Sequence, residues 1–241
     1  MSSDFKEINF YSEKFSLSGY LHIPKNFSNS IVIGSHGLLS DAQSMKQINL
    51  AKRLSDYNIG YLRFNHRGCS TSQGKLENTN LLTRKTDIIS AFEYLKTNYN
   101  IKKTGLFGSS MGGAACICSH DEIKPQAMVL VASPVLGKTM KNSFSNSIDI
   151  LMKETGLSRN FFEKNIDFDL SGDIDKIKNS LVIHGDNDEI VPFENGEILY
   201  SNLKNDKKMI RIKNGDHRIT SPKDQNIMID ETVNWFVKYL N

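Results

Sequence analysis

Short apolar runs alternate along this chain with longer stretches in which apolar residues return every three or four positions. Residues 5–23 read as two strands, FKEINFY and SGYLHI, joined by a Ser/Glu/Lys turn and ended by Pro24, which predicts a hairpin. The rhythm then becomes strand and helix: SIVIGSH, a helix over 42–56, IGYLRFN, a helix over 80–98, TGLFGS, a helix from 111, and AMVLVAS. Such alternation predicts a parallel sheet with helices on both faces. Residues 137–172 break the pattern, carrying Ser, Asn and Gly beside Phe144, Ile148, Leu151, Met152, Phe161 and Phe162 without a strand of their own. A bare loop of that length is uncommon in a compact domain, so a helical cap is expected there. The alternation resumes with SLVIHG, a helix over 193–203, KKMIRI and a closing helix over 222–240. Ser221 is expected to cap that last helix, with Pro222 at its first position, Asp224 in its first turn, and Ile229, Val233, Phe236 and Leu240 along its apolar face.

Composition narrows the functional classes. A chain of 241 residues suits one large α/β domain, and 39% hydrophobic with 24% charged residues is an ordinary globular balance. With 30 Lys+Arg against 27 Asp+Glu and no long basic run, neither nucleic acid nor an anionic membrane surface is an expected partner. No stretch approaches the ~18 apolar residues of a membrane span. The start, MSSDFKEINF, lacks the charged and apolar regions of a secretory signal. Cys69, Cys116 and Cys118 are an odd number and build no disulfide framework, so a reducing cytoplasm is the expected location. A monomer or homodimer is the expected state.

The chemistry centres on Gly108-Ser109-Ser110-Met111-Gly112, between the apolar run TGLFGS and the small-residue stretch GGAACICS. The five letters alone are weak, because glycine and serine are common here. The context is stronger: a serine on a tight strand-to-helix turn needs neighbours without bulk, and Gly108, Gly112, Gly113 and Ala114 supply them. The helix start behind Ser110 favours developing negative charge. A serine hydroxyl also needs a base and a group that orients the base. Asp188 falls just beyond the strand LVIHG, and His217 just past the strand MIRI. Each of the three follows a strand, at the edge where open α/β sheets place their sites.

The chain order Ser110, Asp188, His217 is that of the α/β-hydrolases, and the chain resembles that superfamily over almost its whole length. Within it, the likeness is to small esterases and lipases grouped with serine aminopeptidases, monoglyceride lipases and cinnamoyl or feruloyl esterases. It is carried by SHGLLSD, RFNHRGCSTSQG, GLFGSSMGGAA, LVIHGDNDEIVP and the Gly-Asp-His at 215–217. Those relatives usually have Asp where this chain has Asn65 and Gly where it has Ser70, departures that touch a loop more than the chemistry. The resemblance implies an α/β-hydrolase fold: a mostly parallel eight-stranded sheet with helices on both faces and a small helical cap. It also implies a single domain over 1–241 with the cap at 137–172. The backbone N–H groups of Leu38 and Met111 are the expected oxyanion hole, and a single glycine followed by Leu38 sets this loop apart from the HGGG type.

Rival readings stand beside these. Ser110 in a glycine-rich turn could mark only a helix start. Asp186 competes with Asp188 as the acid, but reads as a turn residue, as does Asp216. His36, His66 and His184 flank strand ends without the companions of a zinc site. Asp167, Asp169, Ser171 and Gly172 imitate the start of a calcium loop, yet Lys178 occupies the place of its final Glu. Cys116 and Cys118 read as core fillers. The cap residues Ile148, Phe144, Phe161 and Phe162, with Leu39, line an acyl pocket or form only the cap's own core.

The expectation is a cytoplasmic serine hydrolase that cleaves carboxylic esters of short to medium acyl groups or of an aromatic acid through an acyl-enzyme. It needs no metal and no cofactor. A thioesterase or aminopeptidase would use the same residues, and a ligand receptor or interaction module could use the same fold. A histidine base loses its proton near pH 6.5, so esterase activity is expected to climb through about that pH. A flat rate profile between about pH 5 and 8 would count against the base.

Overall fold

Strands form where β-branched and aromatic residues cluster. In the computed structural model they are β1 (Lys6–Ser12), β2 (Phe15–His22), β3 (Ser30–Ser35), β4 (Gly60–Phe64), β5 (Lys103–Ser109), β6 (Ala127–Val131), β7 (Ser180–Gly185) and β8 (Lys207–Ile212). The structure describes residues 5–204 and 206–241, with the side chains at 142 and 144–147 left out. All eight strands join one sheet in the order β1-β2-β4-β3-β5-β6-β7-β8. From β4 to β8 the pairs are parallel, while β1–β2 and β2–β4 are antiparallel. This is the α/β-hydrolase fold. The hairpin turn is shorter than the sequence predicts: Ser12 pairs Phe15, so β2 begins at Phe15 rather than Ser18, and Glu13 takes a φ of 53°.

Alternation along the strands divides the core into two layers. Val32, Phe107, Val129, Val131, Leu181 and Ile183 face one side and pack on α1 (Met45–Ser55) and α7 (Pro222–Leu240). Ile31, Ile33, Leu106, Met128, Leu130 and Val182 face the other, against α2 (Leu81–Asn98), α3 (Met111–Ile123) and α6 (Glu194–Asn202). Asn80 and Thr83 form a reciprocal capping box at the start of α2. Helix α1 begins at Met45 rather than at 42, because Ala42 is held outside it: its N–H donates to Asn65 and its carbonyl accepts from Arg63. Ser221 stands at the cap position of α7, but its hydroxyl makes no cap bond. Pro222 removes one N–H from the first turn and Asp224 places a negative charge there, which lessens the need for one.

Between β6 and β7 the chain forms the cap, α4 (Gly137–Thr155) and α5 (Arg159–Asn165), then a 3-10 turn at Ser171–Lys176. Its two ends close on each other at the sheet edge, where Leu170 N–H donates to the Val135 carbonyl and Gly137 N–H to that of Phe168. Among the described residues, no helix is long and apolar enough to cross a membrane.

Phe236 of α7 is fully buried, and a methyl group on Gly105 would meet its ring at 2.6 Å, so the ring lies directly on the β5 backbone. Phe236→Ala is expected to lower the unfolding free energy by about 3–5 kcal/mol, read from urea denaturation.

Candidate active site

The chain leaves β3 toward β4 on one side and returns to β5 on the other, so the sheet order reverses between β3 and β5. At such a switch point the two carboxyl-end loops part and leave a crevice. The loop after β3 and the turn after β5 meet there: a methyl group on Gly37 would touch Ser110 Cβ at 3.5 Å. Ser110 links β5 to α3 with φ 54° and ψ −128°, a conformation unfavourable to a side chain. Its N–H donates to the Val131 carbonyl at 2.8 Å, tying the turn to the end of β6. The turn closes because Gly108 has no side chain, since a Cβ there would stand 2.5 Å from Gly113 Cα.

His217 brings its Nε2 to 3.1 Å from Ser110 Oγ, and its Nδ1 lies 3.0 and 2.9 Å from the two carboxylate oxygens of Asp188. A carboxylate only accepts, so Nδ1 carries the hydrogen and Nε2 is left to accept from the serine hydroxyl. The loops holding these residues are stitched together. Asn187 N–H donates to the Gly215 carbonyl, and His217 N–H to Glu189 Oε2.

Asp188 is buried and fully engaged. Its Oδ1 also accepts from the N–H groups of Ile190 and Val191, and His184 Nε2 lies 3.2 Å from Oδ2. Burial alone would raise this carboxyl, but the hydrogen bonds from His184, His217 and Val191 more than offset it and hold the group well below the usual carboxylate range. The rival acids are occupied elsewhere, Asp186 with Arg211 and the Asn214 N–H, and Asp216 with the Thr220 N–H.

Met111 is the first residue of α3 and Leu38 follows Gly37 in the β3 loop. Among the described residues, no acceptor meets either N–H. Of the candidate pocket residues, Leu39 is 41% exposed, whereas Ile148, Phe161 and Phe162 are 3%, 1% and 0% exposed in a cluster with Met140, Leu157, Ile166 and Val191. Leu38 and Ile190 pack against that cluster, so the cap core reaches down to the loops around Ser110. The side chain of Phe144 lies outside the described residues.

The three strand-end histidines are all buried; His36 and His66 pack together after β3 and β4, their ring centroids 4.9 Å apart, while His184 lies within β7. His66 bridges Ser35 Oγ and Asp87, and burial, with the Arg84 charge, lowers it to about 4. His36 Nε2 accepts from the His66 N–H, while its Nδ1 donates to the Gly37 carbonyl. His184 is the partner of Asp188 that the sequence reading missed. The available signal was its place four residues before that acid, at the end of a buried strand. Cys116 is buried and Cys118 half-buried, and burial pushes the Cys118 thiol up to about 11. Asp169 accepts from Ser171 and starts the 3-10 turn.

The prolyl oligopeptidase family model matches residues 65–241. The chain belongs to that family, within the α/β-hydrolase superfamily. It is 25% identical to the uncharacterized protein YfhR of Escherichia coli O157:H7 over 90% of this chain and 74% of that one. It is 28% identical to human protein ABHD12B over 73% of this chain and 51% of that one. Among solved structures it superposes on the Pyrococcus furiosus esterase with a TM-score of 0.85 at 20% identity, covering 100% of this chain and 92% of that one. Est1E of Butyrivibrio proteoclasticus, solved with ferulic acid bound, gives 0.78 at 18% identity, with 96% and 98% covered.

Because Asp188 is held low in the folded state, its stabilisation is present above its unfolded value of about 3.9 and is lost as pH falls toward the folded one. Asp188→Asn is therefore expected to cost stability at neutral pH, and less as the pH drops below about 4. Denaturation curves at several pH values read this difference. The same variant is expected to lower kcat about 10⁴-fold, because the amide favours the wrong imidazole tautomer.

Proposed function

We propose that this chain is a serine hydrolase acting on carboxylic esters. The observation that carries the reading is the unbroken chain of contacts from Ser110 Oγ through His217 to a buried, ionised Asp188. Ser110 Oγ attacks the acyl carbonyl carbon, the carbonyl π pair moves to oxygen, and His217 Nε2 takes the hydroxyl proton. The Leu38 and Met111 N–H groups receive the oxyanion. Its collapse expels the alcohol, which takes the proton back from His217 and leaves an acyl-serine. Water, deprotonated by His217, then attacks the acyl carbon, and release of the acid restores Ser110. Asp188 keeps the imidazole in the required tautomer and stabilises its charged form. These residues perform the cycle without a cofactor.

The acyl group would lie beside Leu38, Leu39 and Ile190 under the cap. Ile148, Phe161 and Phe162 have almost no accessible face, so they would meet it only when the cap shifts. Short to medium acyl groups or an aromatic acid suit that apolar roof. The ferulic acid bound by Est1E supports the aromatic alternative. A second reading, cleavage of a peptide or amide bond, is supported by the prolyl oligopeptidase match. Parallel assays on p-nitrophenyl butyrate, an acyl-CoA and an amino-acid anilide separate ester, thioester and amide preference. We read the chain as one domain, with α4 and α5 as its cap, working in the cytoplasm as a monomer or homodimer.

Ser110→Ala is expected to lower kcat by about 10⁴-fold to 10⁶-fold with the fold intact. Labelling by a fluorophosphonate probe is expected in the wild type and absent in the variant. Unlabelled wild-type protein would overturn the reading in favour of a binding module.

A further inference from the structure

Arg84 occupies a position meant for an apolar side chain. Leu81, Ile88, Ala91 and Leu95 form the buried stripe of α2, and Arg84 lies on it at the same helical spacing, fully buried. A buried guanidinium is costly unless a carboxylate pairs with it. Among the described residues, no acidic side chain lies within 4.0 Å of Arg84, and its Nε has no partner. Nη1 donates to the His36 carbonyl at 3.0 Å and Nη2 to the Leu38 carbonyl at 3.1 Å, with Cys69 Sγ 3.9 Å from Nη2.

Those two carbonyls bracket the Gly37–Leu38 peptide. The Gly37 carbonyl between them accepts from His36 Nδ1 at 2.8 Å and from the Ser40 N–H at 3.3 Å. A trans peptide points its N–H opposite its carbonyl, so fixing three successive carbonyls also fixes the direction of the Leu38 N–H. Lysine could not do this, because the two bonds diverge from a planar fork. Burial lowers the imidazole of His36 first, and the charges of His66 and Arg84 add to it, which preserves the neutral form that donates to Gly37.

We infer that Arg84 is a positioning residue for the oxyanion site, its guanidinium holding the Leu38 N–H toward the oxygen of the carbonyl that Ser110 attacks. The inference rests on the serine-hydrolase reading above. Among the described residues, no carboxylate within 4.0 Å neutralises this buried cation, and an apolar side chain at 84 would complete the stripe without the cost of burying a charge, so stability alone does not account for an arginine there.

The test compares wild type, Arg84→Met and Arg84→Lys in p-nitrophenyl butyrate hydrolysis and in inhibition by an alkyl trifluoromethyl ketone. That ketone adds to the serine and places an oxyanion in the same site. Loss of one oxyanion donor costs about 10²-fold to 10³-fold in kcat. Arg84→Met is expected to lower kcat by about 10²-fold with KM unchanged, and to weaken the ketone by the same factor. Arg84→Lys is expected to keep the fold and lose most of the same activity, because it retains the charge but not the fork. If Arg84→Met fails to fold, Arg84→Lys carries the test alone. Unchanged kcat in the lysine variant, or a kcat loss without matching loss of ketone affinity, overturns the inference while wild-type activity leaves the hydrolase reading standing. Wild-type protein that neither hydrolyses the ester nor takes up the fluorophosphonate overturns both.

Discussion

The first turn of α3 lies on the end of β3 so closely that a methyl group on Gly112 would stand 2.2 Å from the Ser35 carbonyl oxygen. That backbone-on-backbone approach sets the rest of the site. It brings the β3 loop, with Gly37 and Leu38, beside the turn that carries Ser110. It also holds the strained backbone of Ser110, which the hydrogen bond to Val131 and the close contact of Gly108 with Gly113 prevent from relaxing. A looser packing of α3 would let the serine turn unwind and separate the two proposed oxyanion donors.

The opposite wall of the crevice is built from hydrogen bonds rather than close packing. Asp188 is encircled by His184, His217 and two backbone N–H groups, and the β7 and β8 loops are joined by Asn187 and Glu189. Gly196 at the start of α6 presses on His184, where a Cβ would stand 2.8 Å from Nδ1. Rigid surroundings of this kind keep a base within reach of a hydroxyl without reorganisation, which is where electrostatic catalysis draws its advantage.

Buried charge beneath the β3 loop follows another logic. Asp87 pairs with Arg67 and His66, and these partners outweigh burial and bring its carboxyl down to about 2. Arg84, three residues away on the same helix, spends its donors on carbonyls of the loop above. One helix thus supplies both a neutralised anion that anchors the loop after β4 and an unpaired cation that grips the loop after β3. The apolar clusters of the sheet and cap surround these groups and keep water from screening them.

Much of this was legible in the order of residues. Short apolar runs, continuous in the central strands, and helical stripes mark nearly every element, because burial imposes a local pattern on the sequence. Ser110, Asp188 and His217 were legible as candidates for a related reason: each comes within a few residues of the end of a strand, and parallel strands deliver their carboxyl ends to one edge. The start of α1 was not legible, because it is decided by Asn65 and Arg63 holding Ala42 from another strand end. His184 and Arg84 were hidden for the same cause. A histidine ending a strand and an arginine on an apolar stripe look like exceptions until partners distant in sequence reveal what they hold. The sequence by itself determined the strands, the helices and the chemical types available at their ends, since those follow from local periodicity and local turns. Only the tertiary structure decided which ends meet, because contacts such as Ser110 with His217 depend on strand order across the sheet, and local pattern does not encode that order.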